Sequence, residues 1–252
     1  MHNTCVIYSG VVELVKNRLK AVILAGGLGT RLRPYTLFLP KPMLPLADKP
    51  LLQYTIEWLS SHGVKDVLIS VSYLRKSIED YFQDGEEFGV NITYFKSGTP
   101  LGTAGQLKEV EVGIDSTFLC VYGDSFYNFD LSSAVKFHKS KKALATMVLK
   151  KYKTSMKYGF IDIDSSGAVK DWSEKPDIEG FINIGCYIME PLFLRRIPKK
   201  KMFGMDIAFK NALEQKDRIY GYVTDGEFID IGDMASYEDA NSLFTSRLGK
   251  IL

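Results

Sequence analysis

Between residues 21 and 124, short apolar runs alternate with amphipathic segments, and that alternation constrains the fold more than any other feature. AVILAG (21–26) reads as a buried strand: short, wholly apolar and stopped by glycine. PLLQYTIEWLSSHG (50–63) then reads as a helix, with Pro50 at its start, Leu52, Ile56 and Leu59 on one face, and Gly63 at its end. Further strands are predicted at 66–72, 91–95 and 116–124, with helices at 76–85 and 103–113 between them. Such alternation predicts an α/β fold, a mostly parallel mixed sheet flanked by helices. Ligands of these sheets bind beyond the carboxyl ends of the strands. The loop after residue 26 and Asp124 both fall at such ends.

The second half changes character. Segments 142–152, 158–164, 168–174 and 181–190 read as strands, with Ser165-Ser166-Gly167 as a turn between two of them. They predict a smaller β-rich insertion, roughly 142–200, lying as a lid over the sheet. A helix near 205–216, a strand near 218–223, the string FIDIGD and a helix near 234–247 complete one domain over 20–248. Residues 1–19 stand apart as an N-terminal extension. Residues 11–19 suit an amphipathic helix, and we expect 1–18 to be dispensable.

Charge and cysteine usage remove several function classes. The chain has 32 basic and 30 acidic residues, a net charge of +2 and no polybasic block, so neither nucleic acid nor a membrane surface is an expected partner. No apolar run approaches the ~20 residues needed to cross a bilayer. The first twenty residues lack a basic n-region, so a secretory signal is not expected and a cytoplasmic protein is. Cys5, Cys120 and Cys186 lack any CxxC spacing and read as small buried hydrophobes. His2, His62 and His138 are dispersed, which argues against a histidine metal cluster or a Ser-His-Asp site.

The loop LAGGLGTRLRP (24–34) carries the chemistry. It is not a Walker A loop, and it fails the GxGxxG fingerprint because Leu32 stands where the third glycine belongs. A glycine loop after a strand still offers unobstructed backbone N–H groups to phosphate oxygens. Arg31 and Arg33 add charge, and a guanidinium suits phosphate. Downstream, Pro40 and Pro42 stiffen the backbone on both sides of Lys41, a second candidate phosphate counter-charge.

GGLGTRLRPYTLFLPKPMLP resembles the signature of the sugar-phosphate nucleotidylyltransferases. The resemblance continues through PLGTAG (100–105), YGDS (122–125), YGF (158–160), SEKP (173–176), INIG (182–185) and FIDIGDMASYEDAN (228–241), in order. It implies a Rossmann-like nucleotidyltransferase fold with a sugar-binding insertion. It also implies a reaction in which a nucleoside triphosphate and a sugar 1-phosphate give a nucleotide sugar and pyrophosphate.

The resemblance implies roles as well. Arg31 and Lys41 would be catalytic cations, and Asp124 and Asp230 would bind Mg²⁺. Asp233 is a weaker ligand candidate, because many relatives carry an uncharged residue there. The nucleotide would lie on Leu24, Ala25, Gly26, Gly27, Gly29 and Thr30, with Gly102 and Thr103 at the base. The sugar phosphate would meet Gly159, Glu174, Lys175 and Asn183. PLGTAG and INIGCYIMEP resemble the mannose-1-phosphate guanylyltransferase branch, which makes GTP the expected nucleotide. Thymidylyl or uridylyl transfer to glucose 1-phosphate and guanylyl transfer to heptose 1-phosphate are the alternatives. A non-catalytic nucleotide-sugar sensor would keep the pocket and usually lose a cation or carboxylate. The apolar content leaves room for a homo-oligomer.

Overall fold

The computed structural model describes residues 19–98 and 100–249; the expectations for residues 1–18, Cys5 and His2 among them, lie outside the described residues. Seven strands form the main sheet in the order β12-β8-β11-β6-β1-β4-β5. They are β1 (Lys20–Leu24), β4 (Asp66–Val71), β5 (Asn91–Lys96), β6 (Phe118–Tyr122), β8 (Ala145–Ser155), β11 (Asp177–Met189) and β12 (Ile219–Val223). Shorter strands pair off the main sheet: β2 (Pro45–Leu46) with β3 (Lys49–Pro50), β7 (Ser125–Asn128) with β13 (Glu227–Asp230), and β9 (Phe160–Ile163) with β10 (Val169–Ser173). Strands β6, β1, β4 and β5 run parallel, as does β12 beside β8, while β11 runs antiparallel between β8 and β6. This is the mostly parallel mixed α/β sheet that the sequence predicts.

The β1 run is continuously apolar because both faces of the sheet are covered. Ala21 and Ile23 point to one side and join Leu52, Ile56 and Leu59 of helix α1 (Leu51–Ser61) together with Ile78 and Phe82 of α2 (Arg75–Phe82). Val22 and Leu24 point to the other side, against Ala104 and Leu107 of α3 (Gly102–Glu109). Each fully buried aliphatic side chain contributes about 1.5–3 kcal/mol from apolar area removed from water.

Two features differ from the sequence reading. Leu131–Lys141 forms helix α4, which hydrophobic periodicity does not announce: its buried positions are Leu131, Ala134 and His138, only one of them a large apolar residue. Asp130 caps it by accepting the Ser133 N–H at 3.2 Å. The β-rich span at 142–200 is also woven into the main sheet. The inner halves of β8 and β11 are core strands, and their outer halves leave the sheet as a two-stranded ribbon. Only the β9–β10 pair is separate from it.

Helices α5 (Met205–Glu214) and α6 (Met234–Leu248) close the chain. Ala208, Phe209 and Ala212 of α5 pack on the α3 side, while Ala240 and Phe244 of α6 cover a third cluster with Leu32 and Phe126. Among the described residues no helix is long and apolar enough to cross a membrane. Cys120 and Cys186 are buried on the sheet, where loss of solvation pushes both thiols up from their ordinary range.

Candidate functional site

The site forms where β1 and β6 end. The loop after β1 is pinned from below: Ala25 N donates to Ser70 O at 2.9 Å, and Gly26 N donates to the Gln106 side-chain carbonyl at 3.0 Å. What Ala25 and Gly26 offer a ligand is therefore their carbonyl groups. The next residues are different. Among the described residues no hydrogen bond engages the N–H groups of Gly27, Leu28 and Gly29. Gly29 holds φ at 60°, a left-handed conformation that glycine adopts without strain, and its carbonyl accepts from Thr36 Oγ1 at 2.8 Å and Leu32 N at 2.9 Å. Turning that carbonyl away leaves the free N–H groups as a cradle for an anion.

Thr30 and Arg31 open a short 3₁₀ turn (Thr30–Leu32), with Leu32 buried beneath it. Arg31 forms no direct ion pair with any described residue. Lys41 starts the 3₁₀ turn Lys41–Met43 between its two prolines and is only 7% exposed. Its Nζ lies 2.6 Å from Asp124 Oδ2. Asp124 lies two residues past the end of β6, immediately before β7. Asp230 reaches the same place from far along the chain, because β13 pairs antiparallel with β7 and sets Asp230 opposite Ser125.

The electrostatics follow from this convergence. Burial raises the Asp230 carboxyl above its ordinary range; the Asp124 charge adds to the rise, and Lys41 and Arg31 oppose it. Two carboxylates held together in a half-buried place fit a hard cation. Among the described residues there is no group of three or more metal-binding side chains, and Asp124 and Asp230 are the two carboxylates lining the larger cavity. Mg²⁺ suits it, because that ion takes one or two carboxylates and completes its shell with phosphate oxygens and water. Asp233 has another task. Its carboxylate accepts the Ser236 N–H at 2.9 Å and caps α6.

Two adjoining cavities share Leu24, Gly27, Arg31, Lys41 and Asp124 in their walls. The smaller, about 180 Å³, adds Ala25, Gly29 and Thr30 from the loop. The larger, about 570 Å³, adds Asp230, Thr103, Gln106, Tyr122, Tyr152 and Asn183. Backbone and the two cations dominate the first end, and the second adds the Asp230 carboxylate, neutral polar groups, aromatic rings and aliphatic side chains.

Gly102 and Thr103 begin α3 against the segment before α5. Phe203 O accepts from Ala104 N at 3.0 Å and Gly105 N at 3.1 Å, closing the helix start. Gly102 (φ 69°) lets that carbonyl approach, since a Cβ there would fall 2.7 Å from it. Thr103 Oγ1 accepts the Met205 N–H at 2.9 Å, which ties α3 to the start of α5.

The structure thus gathers Leu24, Ala25, Gly27, Gly29, Thr30, Arg31, Lys41, Thr103, Asp124, Asn183 and Asp230 around one double cavity. Gly26 and Gly102 support its walls. Gly159, Glu174 and Lys175 line neither cavity. Gly159 and Glu174 meet on the β9–β10 side, where Trp172 Nε1 donates to Glu174 Oε2 at 3.2 Å, and Lys175 follows in the bend after β10. A Cβ on Gly159 would fall 2.9 Å from both of those atoms. Sequence reasoning did not single out Gln106, Tyr122 and Tyr152. Gln106 had a readable signal, since it lies one helical turn after Thr103 on the same face.

Residues 20–247 match the family model described as nucleotidyl transferase. A UTP–glucose-1-phosphate uridylyltransferase of Synechocystis sp. is 36% identical over 242 residues, covering 88% of this chain and 62% of the relative. The chain therefore spans less than two thirds of that relative's length. A D-glycero-alpha-D-manno-heptose 1-phosphate guanylyltransferase of Campylobacter jejuni is 34% identical over 220 residues, covering 87% of this chain and 97% of the relative. Among solved structures, HddC from Yersinia pseudotuberculosis aligns at a TM-score of 0.72 with 29% identity, over 90% of this chain and 99% of that one. That protein has also been determined complexed with GMP-PN.

Proposed function

The chain belongs to the nucleotidyl transferase family, among the sugar-phosphate nucleotidylyltransferases, and on that premise we propose that it joins GTP to a manno-configured sugar 1-phosphate, releasing pyrophosphate. The observation that carries the reaction is the meeting of Arg31, Lys41, Asp124 and Asp230 beside the free N–H groups of the glycine loop. Support for guanylyl transfer and for the manno configuration comes from the full-length match to the Campylobacter relative and from the PLGTAG and INIGCYIMEP strings.

In this reading the N–H groups of Gly27 to Thr30 and the Arg31 guanidinium hold the triphosphate oxygens. Lys41 neutralises charge that builds at the α-phosphorus as the sugar-phosphate oxygen attacks and pyrophosphate departs. The work is positioning and charge compensation, with no protein nucleophile. Asp124 and Asp230 would hold Mg²⁺, which supplies further neutralisation of phosphate charge when bound. The base lies toward Thr103 and Gln106, and the sugar toward Asn183 and Tyr152. Glu174 and Lys175 would reach the sugar phosphate only if the β9–β10 pair swings inward. Uridylyl transfer to glucose 1-phosphate is the second reading, favoured by the Synechocystis relative. A non-catalytic sensor is disfavoured because every charged group the chemistry needs is present.

The test is a pyrophosphate-release screen crossing GTP, UTP and dTTP with mannose, manno-heptose and glucose 1-phosphates in Mg²⁺. GTP with a manno sugar should turn over fastest, and Asp124→Ala and Asp230→Ala should each abolish turnover in a folded protein. Release with no pair would sink the catalytic reading; fastest release with UTP and glucose 1-phosphate would select the alternative.

A further inference from the structure

Behind the sugar end of the cavity runs a chain of hydrogen bonds whose direction is fixed by chemistry. It starts at the Gly185 N–H, a group that can only donate. That N–H meets Asn183 Oδ1 at 3.0 Å, so the amide orientation of Asn183 is determined and its Nδ2 is the donor side. Asn183 Nδ2 lies 2.7 Å from the Tyr187 hydroxyl, which must accept. Tyr187 is fully buried, and its other hydroxyl partner is the Tyr122 hydroxyl at 3.2 Å. The Tyr187 proton therefore goes to Tyr122, and Tyr122 accepts it.

The consequence falls on the cavity. Tyr122 and Asn183 both line it. Tyr122 has its own proton left to give, and Asn183 has its second Nδ2 proton left. Both residues are held firmly. Tyr127 OH accepts the Tyr122 N–H at 3.3 Å and faces Gly185 O at 3.3 Å, clamping the two strands together. Gly185 (φ 71°) packs so closely that a Cβ would fall 2.6 Å from Tyr122 Cδ2. The register of β11 shifts between Asn183 and Tyr187, and this irregularity turns the Asn183 amide back onto the Tyr187 hydroxyl.

We propose that Tyr187 is a positioning residue whose hydroxyl presets Asn183 and Tyr122 as two neighbouring hydrogen-bond donors, so that this wall selects substrates presenting acceptor oxygens on the sugar ring. The proposal rests on the sugar-phosphate reading of the cavity and adds to it the direction of each hydrogen bond. Thr103 also neighbours Tyr122; its hydroxyl accepts from Met205 N and gives its own proton to Tyr122, which leaves the Tyr122 proton for the cavity.

The test uses the whole chain with GTP and mannose 1-phosphate, the 2-deoxy and 2-deoxy-2-fluoro sugar phosphates, and their 3-position equivalents. A fluorine occupies the hydroxyl position and can accept a hydrogen bond but not donate one. At one of these positions wild type should take the fluoro compound with a KM within about threefold of the parent, and the deoxy compound with a KM raised about tenfold. Tyr187→Phe should raise KM for mannose 1-phosphate about tenfold, leave kcat and the GTP KM within about twofold, and erase the fluoro-versus-deoxy difference. Tyr122→Phe should do the same at that position. Fluoro and deoxy compounds failing equally in wild type, at every position, would overturn the donor assignment.

If wild type turns over no sugar phosphate, the functional reading fails separately, and the relay is judged on the free protein by NMR. The Asn183 side-chain amide should give two resolved protons, one protected from exchange, and lose that protection in Tyr187→Phe. Solvent-rate exchange of both protons in wild type would overturn the relay. A melting temperature within a few degrees of wild type separates these effects from misfolding.

Discussion

The Lys41 ammonium lies 2.6 Å from Asp124 Oδ2, so the chain carries its own cation against one of its two candidate metal ligands. A metal ion approaching Asp124 competes with that lysine, and a triphosphate offers Lys41 somewhere else to go. Replacing Lys41 with methionine should tighten Mn²⁺ binding to the nucleotide-free protein by about tenfold, about 1.4 kcal/mol. The same change should cut turnover by at least ~100-fold, because charge compensation at the reacting phosphate is lost. Electron paramagnetic resonance of free Mn²⁺ reads the first effect, and pyrophosphate release reads the second. Unchanged or weaker Mn²⁺ binding would contradict the competition.

Gln106 holds the glycine loop by one bond to Gly26 N at 3.0 Å. In Gln106→Leu that N–H loses its acceptor in a partly buried place, a cost of about 1–3 kcal/mol. The loop should loosen, raising KM for the triphosphate about tenfold while KM for the sugar phosphate changes little. A steady-state matrix with both substrates varied measures the split. Equal loss for both substrates would mean that Gln106 acts on the whole fold.

Gly102→Ala should destabilise the protein more than an ordinary surface change. Its φ of 69° is strained for alanine, and the added Cβ would meet Phe203 O at 2.7 Å, a backbone atom that cannot step aside cheaply. A left-handed alanine alone costs about 1–2 kcal/mol. We expect the urea midpoint to fall by about 0.5–1 M. A midpoint within 0.1 M of wild type would show that the 201–205 segment yields easily.

His138 gives the chain an acid-side liability. It is 1% exposed, with Nδ1 2.8 Å from Thr146 Oγ1 and Nε2 3.2 Å from Glu190 Oε1. Burial lowers its pKa below the ordinary 6.5, and the Glu190 carboxylate only partly offsets this. The unfolded chain then binds the proton more readily than the folded one. Stability from this group is full above pH 6.5 and declines as pH falls toward the lower folded value, with a slope of at most about 1.4 kcal/mol per pH unit. Urea unfolding between pH 5 and 8 should show this slope, and His138→Gln should remove it. An identical slope in that variant would place the acid sensitivity elsewhere.

Much of this was legible in the residues. The apolar runs at 21–26, 66–72 and 116–124 fall on β1, β4 and β6, because strands buried on both faces are unmistakably hydrophobic. The glycine loop, Lys41 and Asp124 lie where strand ends would put them. The meeting of Asp230 with Asp124 was open to family resemblance but not to local pattern, since it depends on the pairing of β7 with β13. Helix α4 was hidden because a buried histidine and alanine take places where periodicity looks for large apolar residues. Tyr122 and Tyr187 read as ordinary strand aromatics, and only the register shift beside Asn183 turns them into a directed chain. Glu174 and Lys175 sit in the bend just after an outer strand pair, whose distance from the cavity no linear motif can report.

Strands β8 and β11 each serve two masters along their length. Up to Leu149 on β8 and beyond Asn183 on β11 they belong to the main sheet, and past that rung, where Leu149 stands opposite Asn183, they form a ribbon that adds Tyr152 and Ile182 to the cavity wall. That rung is a natural seam for exchange. Transplanting only the outer halves, 150–155 with 177–182, between relatives would change Tyr152 and Ile182 in the cavity lining and leave the Asn183 and Tyr122 donors in place. The ribbon can thus be recut at one rung while the donor wall and the interior stay as they are.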